Sequence, residues 1–167
     1  MSSKLLDRLA ALQAVEFRYD ALGTQEYENM SDENKVLMAR WFEEVWNKGR
    51  ADAVDEMLAA DGIVHGLSAE AGVPLRGPAG FKPFHETFRG AFPEIQVTVE
   101  DMIAEGDKVA ARCSVRGTHA GDNLGIAATN AAVEFHGMSI IRIADGKIVE
   151  AWNTYDFLTM NQQIGIM

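Results

Sequence analysis

Cysteine occurs once in the 167 residues, proline and histidine four times each, and lysine plus arginine only 15 times against 25 acidic residues. Each scarcity excludes something. One cysteine, Cys113, cannot form an internal disulfide or a cysteine-rich metal site, and it fits a reducing cytoplasm. Lying in a strand-like run, it reads as a small buried hydrophobe. A formal charge of −10 leaves no basic surface for phosphates, which argues against a nucleic acid or an anionic membrane as partner. No apolar run approaches the roughly eighteen residues of a spanning helix, and Asp7, Arg8, Glu16 and Arg18 interrupt any secretory h-region. A soluble, cytoplasmic protein is expected. The four histidines are scattered, with no His-x-x-x-His or Glu-x-x-His spacing, so no metal site is expected. There is no glycine-rich phosphate loop opening a helix, and no Gly-x-Ser-x-Gly.

What the sequence does have is ordinary globular composition, 47% hydrophobic and 24% charged, in a length that suits one domain with one sizeable core. The most organised stretch is 133–157, two alternating runs joined at Asp145-Gly146. Asp-Gly between such runs marks a type I′ hairpin, which needs positive φ at both central residues. Side chains alternate along a strand, so Ser139, Ile141 and Ile143 share one face of the first arm and Met138, Ile140 and Arg142 the other. On the second arm Val149, Ala151 and Asn153 face one way, and Ile148, Glu150, Trp152 and Thr154 the other. Neither face is plainly polar. Helices are expected to cover one, and a second subunit, giving a homodimer, the other.

Before the hairpin the chain reads as helices, then strands. Residues 3–22 carry an amphipathic stripe (Leu5, Leu9, Leu12, Val15, Tyr19, Leu22) and form an N-terminal extension with a short linker, together spanning 1–30. The domain proper is 31–167. Its first helix starts at Ser31 as N-cap, carries Val36, Trp41, Phe42, Val45 and Trp46, and stops at Gly49. A short helix covers 51–59, an irregular or strand segment ends at His65, and 66–77 is a loop. Gly77-Pro78 opens another helix with proline at its first position. Its apolar row is Phe81, Phe84, Phe88 and Phe92, with His85 beside it. Strands follow over 95–103 and 108–118, then a loop over 119–132. This order gives an α+β fold. A strongly curved antiparallel sheet wrapped on its helices leaves an apolar cavity at one end, where a small hydrophobic molecule would bind.

Several stretches together resemble the SnoaL-like polyketide cyclases, also called ester cyclases, of the nuclear-transport-factor-two-like superfamily. They include Phe42-Glu43-Glu44-Val45-Trp46-Asn47-Lys48-Gly49, Gly77-Pro78-Ala79-Gly80-Phe81, Ala91-Phe92-Pro93-Glu94 and Glu105-Gly106-Asp107-Lys108-Val109. Arg116-Gly117-Thr118-His119-Ala120-Gly121 and Arg142 to Glu150 complete the set, and the likeness covers about 33–165. The resemblance implies a cone-shaped α+β barrel, a pocket that needs no cofactor, commonly a dimer through the open sheet face, and intramolecular aldol closure of a polyketide methyl ester. In the founding cyclases an aspartate on the last strand is the acid/base and a histidine on the preceding strand lies near it. Aligned on Arg142 and Asp145-Gly146-Lys147-Ile148, those places fall on Asn153 and Ser139. An amide donates a hydrogen bond but does not take a proton at neutral pH.

The titrating groups left are therefore candidates of their own. His65 stands where helices hand over to the sheet and reads either as a pocket base or as a surface or capping residue. His119 reads as a base or as a loop-fixing residue, and Asp156 as a desolvated acid beside Trp152 and Tyr155 or as the cap of a turn at 158–160. His136 stands beside Gly137, where a bulge would decide its face, and His85 reads as packing. Asn153 would polarise a substrate carbonyl. Trp41, Trp46, Phe84, Phe88, Ser139, Ile141 and Tyr155 are expected to line the pocket. The alternative is a non-catalytic protein of the same fold that binds a small apolar ligand, or a dimerisation module.

Overall fold

The structure is a computed structural model that describes residues 30–70 and 72–166. The amphipathic stripe over 3–22 and the linker as far as residue 29 lie outside the described residues. Residues 30–40 are α-helical and run without a break into a π-helical stretch, Trp41–Asn47. The two together are α1. Ser31 is already inside the helix and does not cap it. The wider π-helical turn, with its i→i+5 hydrogen bonds, brings Trp41 and Trp46 to the same side, and both indoles are buried with Phe42 and Val45. The helix ends as expected: Gly49 takes φ +70°, and the Arg50 N–H donates to the Glu44 carbonyl at 2.9 Å.

Helix α2, Asp52–Met57, is shorter than its sequence suggests. Leu58 and Ala59 belong instead to strand β1, Leu58–His65, which lies parallel to the last strand. Helical propensity at Leu-Ala-Ala yields to that pairing, as weak local preferences do against a tertiary ladder. A two-residue strand, β2 (Leu75–Arg76), interrupts the expected loop, and α3 (Gly77–Ala91) follows with proline in its first turn. Gly77 has φ +58°, and a Cβ there would stand 2.1 Å from the Ala60 carbonyl oxygen. The remaining elements are β3 (Gln96–Glu105), β4 (Lys108–Thr118), β5 (Ala132–Ala144), β6 (Lys147–Tyr155) and α4 (Phe157–Gln163).

The sheet has six strands, in the order β2-β1-β6-β5-β4-β3, and only β1–β6 is parallel. Beyond the four long strands it includes β1, whose second half the sequence leaves as irregular or strand, and β2, which the sequence does not suggest, and it stays open between β2 and β3. The result is a cone-like α+β fold, with the helices on the concave side of the curved sheet. The hairpin turn has the expected geometry, Asp145 at φ 51° and Gly146 at φ 71°. One correction concerns the second arm. The register passes from Arg142↔Glu150 to Ile143↔Ile148, so Val149 is an extra residue, a bulge that turns Ile148 to the concave face. Ile148 is buried in the core with Ala151, against the strict alternation expected of it.

Three side chains fix the helices over the sheet. The last carbonyls of a helix have no partner within it, and two of those at the end of α1 are taken by α3. His85 Nε2–H donates to the Val45 carbonyl at 2.8 Å, and Arg89 donates to the Trp46 carbonyl at 2.9 Å. The Arg89 guanidinium also lies over Gly49, where a Cβ would come within 2.6 Å of it. Asn47 then joins α1 to the sheet edge: its amide accepts from the Val97 N–H at 2.7 Å and donates to the Val97 carbonyl at 3.1 Å. It occupies the place of a neighbouring strand on β3.

Two outcomes follow. Asn47→Ala leaves both Val97 groups unpartnered and should lower stability in urea unfolding by about 1–3 kcal/mol. Burial holds the His85 pKa below its ordinary value, mainly by desolvation. The unfolded chain therefore binds the proton more readily, and stability should fall as the pH drops below about 6.5. Other groups also titrate in this range, so comparison of the slope with that of a non-titrating variant is what isolates this one. His85→Gln, which keeps a donor without titrating, should flatten that slope.

Candidate functional site

Between the concave face and helices α1 and α3 lies a cavity of about 670 Å³, its mouth included. Trp41, Trp46, Phe84, Phe88, Ser139, Ile141, Asn153 and Tyr155 all line it, as their sequence positions suggest. Helix α3 contributes its phenylalanine row at helical spacing, with Trp46 edge-on to Phe81, Phe84 and Phe88. Sequence reasoning missed several wall residues. Met38 sits on α1 and Leu67 on the loop after β1; Leu58 lies where a helix is expected, and Val64 in the segment expected to be irregular or strand. No residue with an ionised side chain is among the lining residues.

The polar part of the wall is a chain of hydrogen bonds across β5 and β6. Ser139 and Asn153 are register partners. The Ser139 hydroxyl donates to Asn153 Oδ1 at 2.8 Å and stands 3.1 Å from the Tyr155 hydroxyl. Asn153 Nδ2 donates to the His65 backbone carbonyl at 3.0 Å. Tyr155 fits because its register partner is Gly137, where a Cβ would stand 2.1 Å from the tyrosine ring. Gly137 thus sits in an unbroken strand, and no bulge occurs there. The Cys113 thiol lies within hydrogen-bond reach of the Tyr155 hydroxyl, and burial pushes it up to about 11. Desolvation likewise raises the Tyr155 phenol above its ordinary range.

The titrating candidates sit elsewhere. The His65 ring is on the convex face, stacked on Trp152 at 5.8 Å, and its Nε2 donates to Glu150 at 3.0 Å. Arg142 holds the other Glu150 oxygen at 3.2 Å. The hydrogen bond from His65, with Arg142 second, keeps the Glu150 carboxyl below its usual range. His65 reaches the site only through its carbonyl, because alternation turns its side chain away while Val64 points in. His119 is fully buried in the loop after β4, its Nδ1 accepting from the Thr129 N–H at 3.2 Å. Its ring hydrogen is then on Nε2, which has no polar partner and packs toward Phe92. It fixes the loop.

Asp156 caps α4. Its carboxylate accepts from the Thr159 N–H at 2.9 Å and from the Thr159 hydroxyl at 2.7 Å, and those bonds hold its pKa down. That is the opposite of a desolvated acid. The expectation of a pocket base among His65, His119 and Asp156 is therefore not met by their placement, and His136 is exposed on the convex face. Among the described residues, no group of three or more His, Cys, Asp or Glu side chains is placed to hold a metal ion, and no helix is long and apolar enough to cross a membrane.

The model of the SnoaL-like polyketide cyclases matches residues 36–164. The aklanonic acid methyl ester cyclase DnrD of Streptomyces peucetius is 30% identical over 133 residues, covering 78% of this chain and 90% of its own. Among solved structures, IdmH from Streptomyces antibioticus, assigned as a polyketide cyclase, is 32% identical with a TM-score of 0.70. The superposition covers 79% of this chain and 98% of IdmH. A SnoaL-like protein from Jannaschia, 22% identical, shares the fold with a TM-score of 0.73 over 83% of this chain and 95% of its own. A match spanning both helices over the cavity and all six strands, joined to a cyclase relative covered nearly end to end, makes this chain a member of the SnoaL-like polyketide cyclase family.

Proposed function

We propose that the chain binds a small, uncharged, hydrophobic carbonyl compound in the cone and promotes its ring closure without a cofactor, in the manner of a polyketide cyclase. One observation carries this reading: an amide, Asn153, anchored on both its oxygen and its nitrogen, stands with the Ser139 and Tyr155 hydroxyls in a wall that carries no charge and is mostly aromatic and aliphatic. An unpaired charge in such a wall would cost several kcal/mol, so the ligand is neutral. The wall folds the chain of the substrate so that its reacting carbons meet, which replaces a bimolecular-like search by a held geometry. Asn153 supplies a hydrogen bond to the carbonyl oxygen as it becomes an enolate or alkoxide. The hydrogen to be removed, flanked by two carbonyls in a polyketide, passes to a water, and the alkoxide formed as the new carbon–carbon bond closes takes a proton back from it.

The missing base favours one other reading. With no titratable carboxylate or imidazole on the wall, the same pocket would serve a protein that carries or senses the ligand without transforming it.

Turnover of a polyketide methyl ester, aklanonic acid methyl ester being the first to try, separates the two. For the enzyme, Asn153→Ala should lower the rate by roughly 100- to 1000-fold, with a stability loss no larger than the about 1–3 kcal/mol of leaving Ser139 and the His65 carbonyl unpartnered. Binding without turnover by the wild type would support the carrier. Asn153→Asp is informative in both cases. An anionic oxygen 3.0 Å from the His65 carbonyl is repelled, and burial adds to this, so the new carboxyl should titrate well above the usual carboxylate range. An NMR titration of the labelled carboxyl reads this directly.

A homodimer belongs to the same proposal. Across the convex face Ile103, Ala110, Ile140, Trp152 and His65 stand in one row over five strands. Ile103 is 69% and Ile140 41% exposed. A row of this kind, flanked by Arg142 and Glu150, offers a two-fold symmetric contact to a second copy. Ile140→Glu should convert a dimer seen by light scattering at micromolar concentration into monomer; a wild type that is already monomeric ends this part.

A further inference from the structure

The direction of every hydrogen in the polar wall can be traced from one backbone atom. A carbonyl only accepts, so the Asn153 atom 3.0 Å from the His65 carbonyl is the amide nitrogen. That fixes the side chain against the ambiguity of amide flips. Oδ1 then faces Ser139 and can only accept, so the single hydroxyl hydrogen of Ser139 is spent on it. The Tyr155–Ser139 contact at 3.1 Å could run either way on distance alone. With the Ser139 hydrogen committed, Tyr155 is the donor, and its own hydrogen is spent too. Asn153 has two amide hydrogens and uses one. The remaining one is the only hydrogen of Ser139, Asn153 and Tyr155 left for a ligand.

The clamp on the amide has a visible construction. Gly66 follows His65 with φ +83°, and a Cβ on it would stand 2.0 Å from the Asn153 carbonyl oxygen. The absence of that atom lets the end of β1 close onto β6 and brings the His65 carbonyl within reach of Nδ2. On the other side Ser139 is buried, 3% exposed, and held from behind by Tyr155 over Gly137.

Resting on the reading of a neutral carbonyl ligand, we propose that Ser139 and the His65 carbonyl, seated by Gly66, are positioning groups that lock the Asn153 amide in one orientation. The polar chain on β5 and β6 then presents one directed hydrogen-bond donor to the cavity and selects ligands with a carbonyl acceptor at that point. Ser139 itself does not contact the substrate oxygen; it acts through Asn153.

The test uses two neutral probes of nearly equal shape, 2-acetylnaphthalene and 2-isopropenylnaphthalene, which differ by oxygen in place of CH₂. Binding to the purified full chain is followed by quenching of tryptophan fluorescence. The bound ketone's carbonyl stretch is read by infrared difference spectroscopy with a ¹³C-labelled carbonyl. The wild type should prefer the ketone by about three- to tenfold, the worth of one net hydrogen bond, with a stretch shifted to lower frequency. Asn153→Ala should abolish both the preference and the shift. Ser139→Ala should reduce both while the hydrocarbon binds as before, and Ser139→Thr, which restores a hydroxyl, should recover them. Gly66→Ala should act like Ser139→Ala or fail to fold, and the serine pair decides the matter in either event. Equal binding of the two probes to the wild type overturns the directed donor and leaves the pocket reading standing. An unaltered preference in Ser139→Ala overturns the positioning role. Failure of both probes to bind ends this proposal and the reading on which it rests.

Discussion

Everything in this molecule hangs on keeping two helices over a curved sheet without letting them sink into it. The hydrogen bond from His85 to the Val45 carbonyl does most of this. It joins α3 to the end of α1 at the point where α1 has run out of its own donors, and Arg89 repeats the contact one residue on. Asn47 then ties the same helix end to the edge of β3. Held by polar contacts at its rim, the helical layer can offer Trp41, Trp46, Phe84 and Phe88 to an open space and need not pack them solid against the strands. A neutral His85 is a condition of this joint. Its Nδ1 is buried without a partner, and a second ring hydrogen would be buried there unpaired.

The cavity that results is chemically sparse. Its wall joins aromatic surface to one polar chain running from Tyr155 through Ser139 and Asn153 to the backbone of β1. Charged groups of the same strands are kept on the convex face, where His65, Glu150 and Arg142 form their own cluster. The parallel β1–β6 pairing joins the two sides. It sends the His65 ring outward and the His65 carbonyl inward, so one residue serves a surface ion cluster with its side chain and the site with its backbone. Family membership tells what sort of reaction such a cone supports in its relatives; the polar group this chain sets into the wall is an amide, Asn153.

Much of this was legible in the sequence, for reasons that can be named. Asp145-Gly146 admits few conformations other than the turn found, and alternation placed Ser139 and Ile141 on one face and Ile140 on the other without error. Helical spacing put the α3 phenylalanines toward the sheet. What escaped was non-local. Nothing within Leu58-Ala59-Ala60 announces a strand, because the reason for it is β6, some ninety residues away. The π-helical end of α1 has no local signature either, and the bulge at Val149 broke the alternation that correctly described the rest of β6. The readings of His65, His119 and His136 stayed open for a related cause: titratability can be read from a residue name, whereas the face on which its ring lies depends on register. Asp156 shows the converse. Its capping role was visible beside Thr159, and the geometry adopts it.

The central claim is that one hydrogen of the Asn153 amide is committed to the backbone and the other is offered to a ligand carbonyl. The two side-chain hydrogens on Nδ2 give separate signals in a ¹H–¹⁵N correlation spectrum, so a titration with 2-acetylnaphthalene addresses each of them. The account predicts that one resonance moves downfield as the ketone binds while its partner, bonded to His65, stays in place, and that the isopropenyl analogue moves neither by a comparable amount. If both probes produced the same shifts, or if the resonance bonded to His65 were the one that moved, the account would be contradicted.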